Sequence, residues 1–174
     1  MPTAKLPLVD DTDNFSINYA LNLNDDFYQH YPVNVVSEAL FFSAATFQSE
    51  KIWKPVINLQ PFICVGSYQT LKYIRELGFK TFSPFIDETY DEVYDHKERM
   101  KLILAEIDKL NKLSTQEIHE WYYSITDILV YNKKHLETFK NLNPYQVVIT
   151  DIINTYRGKD GTERQEHYSN RSKW

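Results

Sequence analysis

The sequence predicts an α/β fold: a small open parallel sheet flanked by helices, with a helical C-terminal half. Three observations carry that expectation. Pro61-Phe62-Ile63-Cys64-Val65 is a short unbroken apolar run ended by Gly66, the pattern of a strand buried on both faces. Apolar residues at helical spacing precede it, at Ile52, Trp53, Val56 and Ile57, and follow it, at Leu71, Ile74 and Leu77. Strand signals on either side complete the order strand, helix, strand, helix, strand, which right-handed crossovers turn into a parallel sheet.

Taken in order, residues 1–32 are polar and without a clean period, and are expected to form an arm or cap. Val33, Val35 and Val36, followed by Leu40, Phe41 and Phe42, supply the β-branched and aromatic residues of a first strand. Ser49 is placed to cap the next helix, whose polar face carries Glu50, Lys51, Lys54 and Asn58. Pro55 lies beyond the first turn of that helix and should kink it, because it removes a backbone hydrogen bond. Gly78 stands at the C-terminal cap of the second helix, and Phe79 to Phe82 begins a third strand. Beyond Pro84 the pattern is helical. Met100, Ile103, Leu104, Ile107 and Leu110 form one stripe. Ser114 with Glu117 forms a capping box for the next helix, whose stripe runs through Ile118, Trp121, Tyr122, Ile125 and Leu129. A last helix carries Tyr145, Val148, Ile149, Ile152, Ile153 and Tyr156 and stops near Gly158. One domain over residues 33–158 is expected, with a polar tail over 159–174.

Composition narrows the function classes. A formal net charge of -5 argues against a grip on polymeric DNA or RNA, which calls for a basic face. No run of about 18 apolar residues spans a membrane, and Met1 to Asp13 lacks the apolar core of a signal segment. Cys64 is the single cysteine, so no intramolecular disulfide is available and a reducing, cytoplasmic setting is expected. The five histidines lack metal-ligand spacing with one another or with Cys64, so no zinc site and no cofactor is expected. The acidic series Asp87, Glu88, Asp91, Glu92 and Asp95 lacks the glycine-centred turn of a calcium loop; it reads as solvated loop carboxylates, with Asp95 capping the following helix. Lys72 and Arg75 are expected on the solvent face of their helix. Tyr 13, Phe 10 and Trp 3 make an aromatic load larger than one small core needs, which points to an interface or a ligand pocket.

In an open parallel sheet, ligands bind outside the carboxyl ends of the strands, where the amides of helix N-termini attract anions. Two segments fit: Gly66-Ser67-Tyr68, and Ser49-Glu50-Lys51. Gly66 would let a phosphate approach the backbone, Lys51 would neutralise it, and Glu50 would accept from ribose hydroxyls. A glycine after a strand is also an ordinary turn, and that alternative stays open. Ser67 is not in a nucleophile elbow and is given no catalytic role.

The stretch Val35-Val36-Ser37-Glu38, then Gln48-Ser49-Glu50-Lys51-Ile52-Trp53, then Gln60 to Gly66, resembles the donor-nucleotide half of glycosyltransferases with two Rossmann-like domains, the fucosyltransferase-like group in particular. The continuation Leu71 to Phe82 with Ile86 to Asp91 is similar to phage and bacterial sugar-transferase-like proteins. The likeness covers about Val33 to Leu110. It implies a Rossmann-like sheet and a Glu50-Lys51 pair that holds the ribose and diphosphate of a nucleotide sugar. Glu38 and Lys54, with Ser49, Gly66, Ser67 and Tyr68, complete the expected ligand-binding set. An enzyme of that architecture needs a second domain for its acceptor, which residues 1–32 are too short to build, and Pro55 departs from the pattern.

The functional expectation is therefore a protein that binds a nucleotide-type small molecule without turnover; for a viral chain, the use would be sequestering a host nucleotide immune signal. Two alternatives remain. One is an enzyme, either a glycosyltransferase-like subunit completed by a partner or a nucleotide hydrolase, with Glu38, Asp87 or Glu88 as base; the other is a structural or assembly protein. Homodimers or higher homo-oligomers are expected, built through the C-terminal helices and their rings, Trp121, Tyr122, Tyr123, Tyr131, Tyr145 and Tyr156.

Overall fold

The protein is described here by a computed structural model, covering residue 28 and residues 31–139 apart from 44, 47 and 84. Most of the expected arm, the helix from Tyr145 to Tyr156 and the tail from 159 to 174 lie outside the described residues. Within them the fold is mixed α/β, a small Rossmann-like arrangement of a two-stranded open parallel sheet and five α-helices, helix-rich toward the C-terminus. The strands are β1 (Asn34–Ser37) and β2 (Phe62–Val65); the helices are α1 (Glu50–Ile57), α2 (Thr70–Glu76), α3 (His96–Asn111), α4 (Thr115–Ser124) and α5 (Thr126–Phe139). A 3-10 turn, Thr89–Glu92, precedes α3. Among the described residues no helix is long and apolar enough to cross a membrane.

β1 and β2 pair in parallel with Asn34 opposite Phe62 and Ser37 opposite Val65, which places Glu38 and Gly66 just beyond the carboxyl ends. Phe62, Ile63 and Cys64 are all buried, as the unbroken apolar run requires, whereas β1 buries only Val36. β1 is shorter than its composition suggests. Leu40, Phe41 and Phe42 lie in turns, because the Ser43 amide donates to Leu40 O at 3.3 Å and Arg99 Nη2 donates to Phe41 O at 2.6 Å.

The expected third strand, Phe79 to Phe82, does not form. Its backbone groups are held by side chains instead: Asn132 accepts from the Lys80 amide at 2.8 Å and donates to the Lys80 carbonyl at 2.7 Å, while the Phe82 amide donates to Glu88 at 2.7 Å. Tyr90 serves β2 in the same way, its hydroxyl accepting from the Cys64 amide at 3.3 Å. The segment still packs on the sheet, with Phe82 edge-on to Phe62 at 5.2 Å.

α1 runs through Pro55 without interruption. The helix ends at Ile57, so proline costs it a single hydrogen bond near the end, and Pro55 is itself buried with Ile52, Trp53, Val56 and Ile57. Asn58 is buried rather than on the polar face, closing the helix with a bond to Lys54 O at 3.0 Å. Gly78 caps α2 as expected. At φ 91 it sends its amide to Arg75 O at 2.9 Å, and Phe79 sends its amide to Ile74 O at 3.2 Å, the paired bonds of a Schellman ending.

The inward stripe of α3 is Arg99, Ile103, Glu106 and Leu110, so Met100 and Ile107 are only partly covered and Leu104 faces outward. The stripe from Ile118 to Leu129 is divided between two helices. Ile125 is the joint between α4 and α5, and Tyr122, Ile125 and Leu129 still meet the core. The Ser114 and Glu117 capping box forms. α5 packs against α1, with Phe139 6.1 Å from Trp53 and 5.3 Å from Phe79, ring centre to ring centre.

Candidate functional site

The carboxyl ends of β1 and β2 are met by the N-termini of α1 and α2, as the crevice rule anticipates. The two termini differ in how their polar groups are engaged.

At α2, Asp91 closes the helix start. Its two carboxylate oxygens accept from the amides of Leu71 and Lys72, each at 2.8 Å, and Arg75 Nη2 stands 3.6 Å from the same carboxylate. Arg75 also reaches Glu88 at 3.2 Å, and Glu88 accepts from Thr81 Oγ1 at 2.6 Å. Two members of the acidic series are thus buried and engaged, against the expectation of solvated carboxylates. Lys72 and Arg75 are both exposed as expected, and Arg75 in addition pairs with Glu88 and Asp91. Burial raises the pKa of Glu88 and of Asp91, and their hydrogen bonds work against that rise. Asp87 stays exposed, its carboxyl held low first by the Thr89 side chain. Asp95 caps α3, accepting from the amides of Lys97 and Glu98.

The turn between β2 and α2 is closed in the same way. A Cβ on Gly66 would meet Thr70 Oγ1 at 2.9 Å and Cys64 Sγ at 3.0 Å, so the glycine lets β2 and its own helix approach each other. Ser67 is buried, its hydroxyl 3.1 Å from that of Thr70. Tyr68 is half-buried, edge-on to Tyr94 at 5.5 Å.

At α1 the engagement is incomplete. Glu38 leaves β1 with its amide bonded to Val65 O at 3.0 Å and turns its carboxylate to the start of α1, where Oε1 accepts from the Ser49 amide at 2.9 Å. Ser49 caps the helix by accepting from the Lys51 amide at 3.3 Å. Glu38 is only 5% exposed, yet its Oε2 has no hydrogen-bond partner among the described residues. Lys51 is exposed in that first turn and Glu50 is half-buried. Lys54 is half-buried too, and burial lowers its pKa while Glu50 opposes the shift. Neither lysine forms an ion pair among the described residues.

The structure therefore gathers Glu38, Ser49, Glu50, Lys51 and Lys54 around one helix start, and commits Gly66 and Ser67 to internal packing. One participant was missed in the sequence. Asp91 was read as surface charge, although an aspartate downstream of a helix that starts without a capping side chain is a candidate for that end. Gln48, which opens the resembling stretch but was not among the expected ligand-binding residues, is buried with its Nε2 unpartnered among the described residues. A cavity of about 310 Å³ lies elsewhere, between Leu59 and α5, and holds none of the expected site residues. Among the described residues there is no cluster of His, Cys, Asp and Glu suited to a metal ion.

Fold and site together define a small Rossmann-like α/β protein with one helix N-terminus closed by its own carboxylate and one with spare polar capacity. No protein-family model, curated protein or solved structure matches the chain.

Proposed function

We propose that this chain binds a nucleotide-derived small molecule, of the nucleotide-sugar or ADP-ribose kind, at the N-terminus of α1 and holds it without turnover. The observation that supports this best is Glu38: a buried carboxylate at a helix start, with one oxygen engaged and the other unpartnered, is complementary to a ligand hydroxyl or N–H. Lys51 in the first turn and Lys54 a turn further on supply cations for the phosphates. Asp91 argues against the α2 terminus for the same task, since an anion there would compete with a carboxylate that already holds two amides. Binding without chemistry is favoured because two of the three candidate bases are committed: Glu88 to Thr81, Phe82 and Arg75, and Asp87 to the Thr89 amide.

The test is calorimetry with nucleoside diphosphates and nucleotide sugars at fixed salt, comparing Lys51→Ala with Lys72→Ala. A phosphate contact at Lys51 is a charge-assisted bond of about 1.5 to 3 kcal/mol, a loss of about tenfold to hundredfold in affinity. Lys72→Ala should leave affinity within about twofold, because it removes equal charge from the closed terminus. Equal losses in both variants, or ligand recovered chemically altered, would overturn the reading.

A further inference from the structure

The core takes one stripe of α3, through Arg99, Ile103, Glu106 and Leu110, and a second apolar row on the same helix faces outward. At about 3.6 residues per turn, Met100, Leu104 and Ile107 follow one another along one line, with His96 a turn before them and Asn111 a turn after. Leu104 is 56% exposed, and Met100 and Ile107 are half-buried. Phe42, 80% exposed, stands edge-on to His96 at 5.1 Å and extends the row at its N-terminal end. Charged residues border one flank of the row: Lys97 and Lys101 toward its start, and Asp108 toward its end. All three are exposed. Lys101 meets Glu98 at 3.4 Å and Asp108 meets Lys112 at 2.6 Å within the chain, surface pairs that contribute little and leave both groups able to serve a second partner.

We propose that two copies of this chain meet along the row, α3 against α3, antiparallel about a twofold axis at Leu104. The charges decide the direction. In antiparallel pairing the same flanks of the two helices face each other, and position 101 of one copy comes beside positions 107 and 108 of the other. Lys101 of each copy then meets Asp108 of the other, and Lys97 comes opposite Asn111. Parallel pairing would instead set Lys101 against Lys101 and Asp108 against Asp108. A second copy is thus complementary to the row in one orientation, and the contact closes at two chains. The row is one helix wide, which is small beside the roughly 800 Å² per partner of a standard interface, so the dimer belongs to the micromolar class. It forms whether or not the chain binds a nucleotide.

The experiment is analytical ultracentrifugation of the full chain from about 1 to 200 μM, across which wild type should pass from monomer to dimer. Leu104→Lys lies on the exposed face, so circular dichroism should show the fold unchanged, while the dimer weakens at least about tenfold because two like charges meet on the axis. Lys101→Asp and Asp108→Lys should each weaken it by about tenfold, since two attractions become two repulsions. Mixed in equal amounts, those two variants should form a heterodimer within about threefold of wild-type strength, each offering the charge that the other now lacks. No effect on folding alone produces that recovery. Wild type that stays monomeric at about 200 μM overturns the proposal, and leaves the row to another protein or to none. An assembly that grows beyond two chains, a dimer indifferent to Leu104→Lys, or a mixture no stronger than its two components overturns it as well.

Discussion

Replacing Gly78 with alanine should cost the protein about 2 to 3 kcal/mol of stability. Gly78 has φ 91, a backbone region in which an L side chain costs about 1 to 2 kcal/mol. Space is the second cost. The new Cβ would stand 2.8 Å from His135 Nε2 and 3.0 Å from Cε1, so the ring must withdraw. That ring donates to Leu77 O at 2.8 Å at the end of α2, a bond whose loss is about 1 kcal/mol. For a cooperative unit of about 100 residues this lowers the melting temperature by roughly 8 to 20 °C. Urea and thermal unfolding followed by tryptophan fluorescence measure it. Repeating the substitution in a His135→Ala background should leave only the backbone part, about 1 to 2 kcal/mol. An unchanged midpoint for Gly78→Ala, or the same cost with and without the His135 ring, refutes the reasoning.

Two further outcomes follow from the buried polar groups. Asn132→Leu keeps the branched outline of a residue that is 2% exposed, with somewhat larger groups to pack, but releases both backbone groups of Lys80, so urea unfolding should show a loss of about 2 to 3 kcal/mol or more; a loss below about 0.5 kcal/mol would mean that water replaces the clamp. Stability should also depend on pH in two opposed steps. Glu88 and Asp91 have folded pKa values raised by burial, so their contribution is full below the unfolded values near 4 and is lost as pH rises through the folded ones. Asp87, Asp95 and Glu117 are lowered, chiefly by hydrogen bonds to Thr89, Glu98 and Ser114, and contribute above those unfolded values but lose their part as pH falls through the folded ones. The urea midpoint should therefore rise as pH falls from 7 toward the unfolded values near 4 and fall below them, with the rise reduced in Glu88→Gln; a midpoint that falls steadily from pH 7 downward would contradict this.

What could be read in the sequence was what neighbouring residues decide. The β2 run, the Ser49 and Asp95 caps, the Gly78 ending and the Ser114–Glu117 box each lie within a few residues of the group they satisfy, and each forms. What could not be read were bonds between side chains and distant backbone. Asn132 acts on Lys80, 52 positions away, and Arg99 on Phe41, 58 positions away. Asp91 acts on Leu71 from 20 positions downstream. A strand predicted from Phe79 to Phe82 was a reasonable reading of residue type, since nothing local tells that a side-chain amide will take the place of a neighbouring strand. One trace was present: Asn132 sits between Leu129 and Leu136 on the buried stripe of α5, where a polar residue needs a partner. At the site, the Glu38, Ser49 and Lys51 grouping was legible, while the closure of α2 by Asp91 was not.

The Tyr90 hydroxyl and the Asn132 amide also bear on how this protein behaves in a crowded solution. A parallel sheet of two strands is short of neighbours, and an open edge invites strand addition from another chain. Here the Cys64 amide of β2 is already answered by a phenol, and the adjacent extended segment is answered by a carboxamide. Side chains cannot be extended by a further strand as backbone can. A sheet finished in this way ends at two strands, and the route from folded protein to edge-to-edge aggregate is blocked on that side by two residues of the protein's own interior.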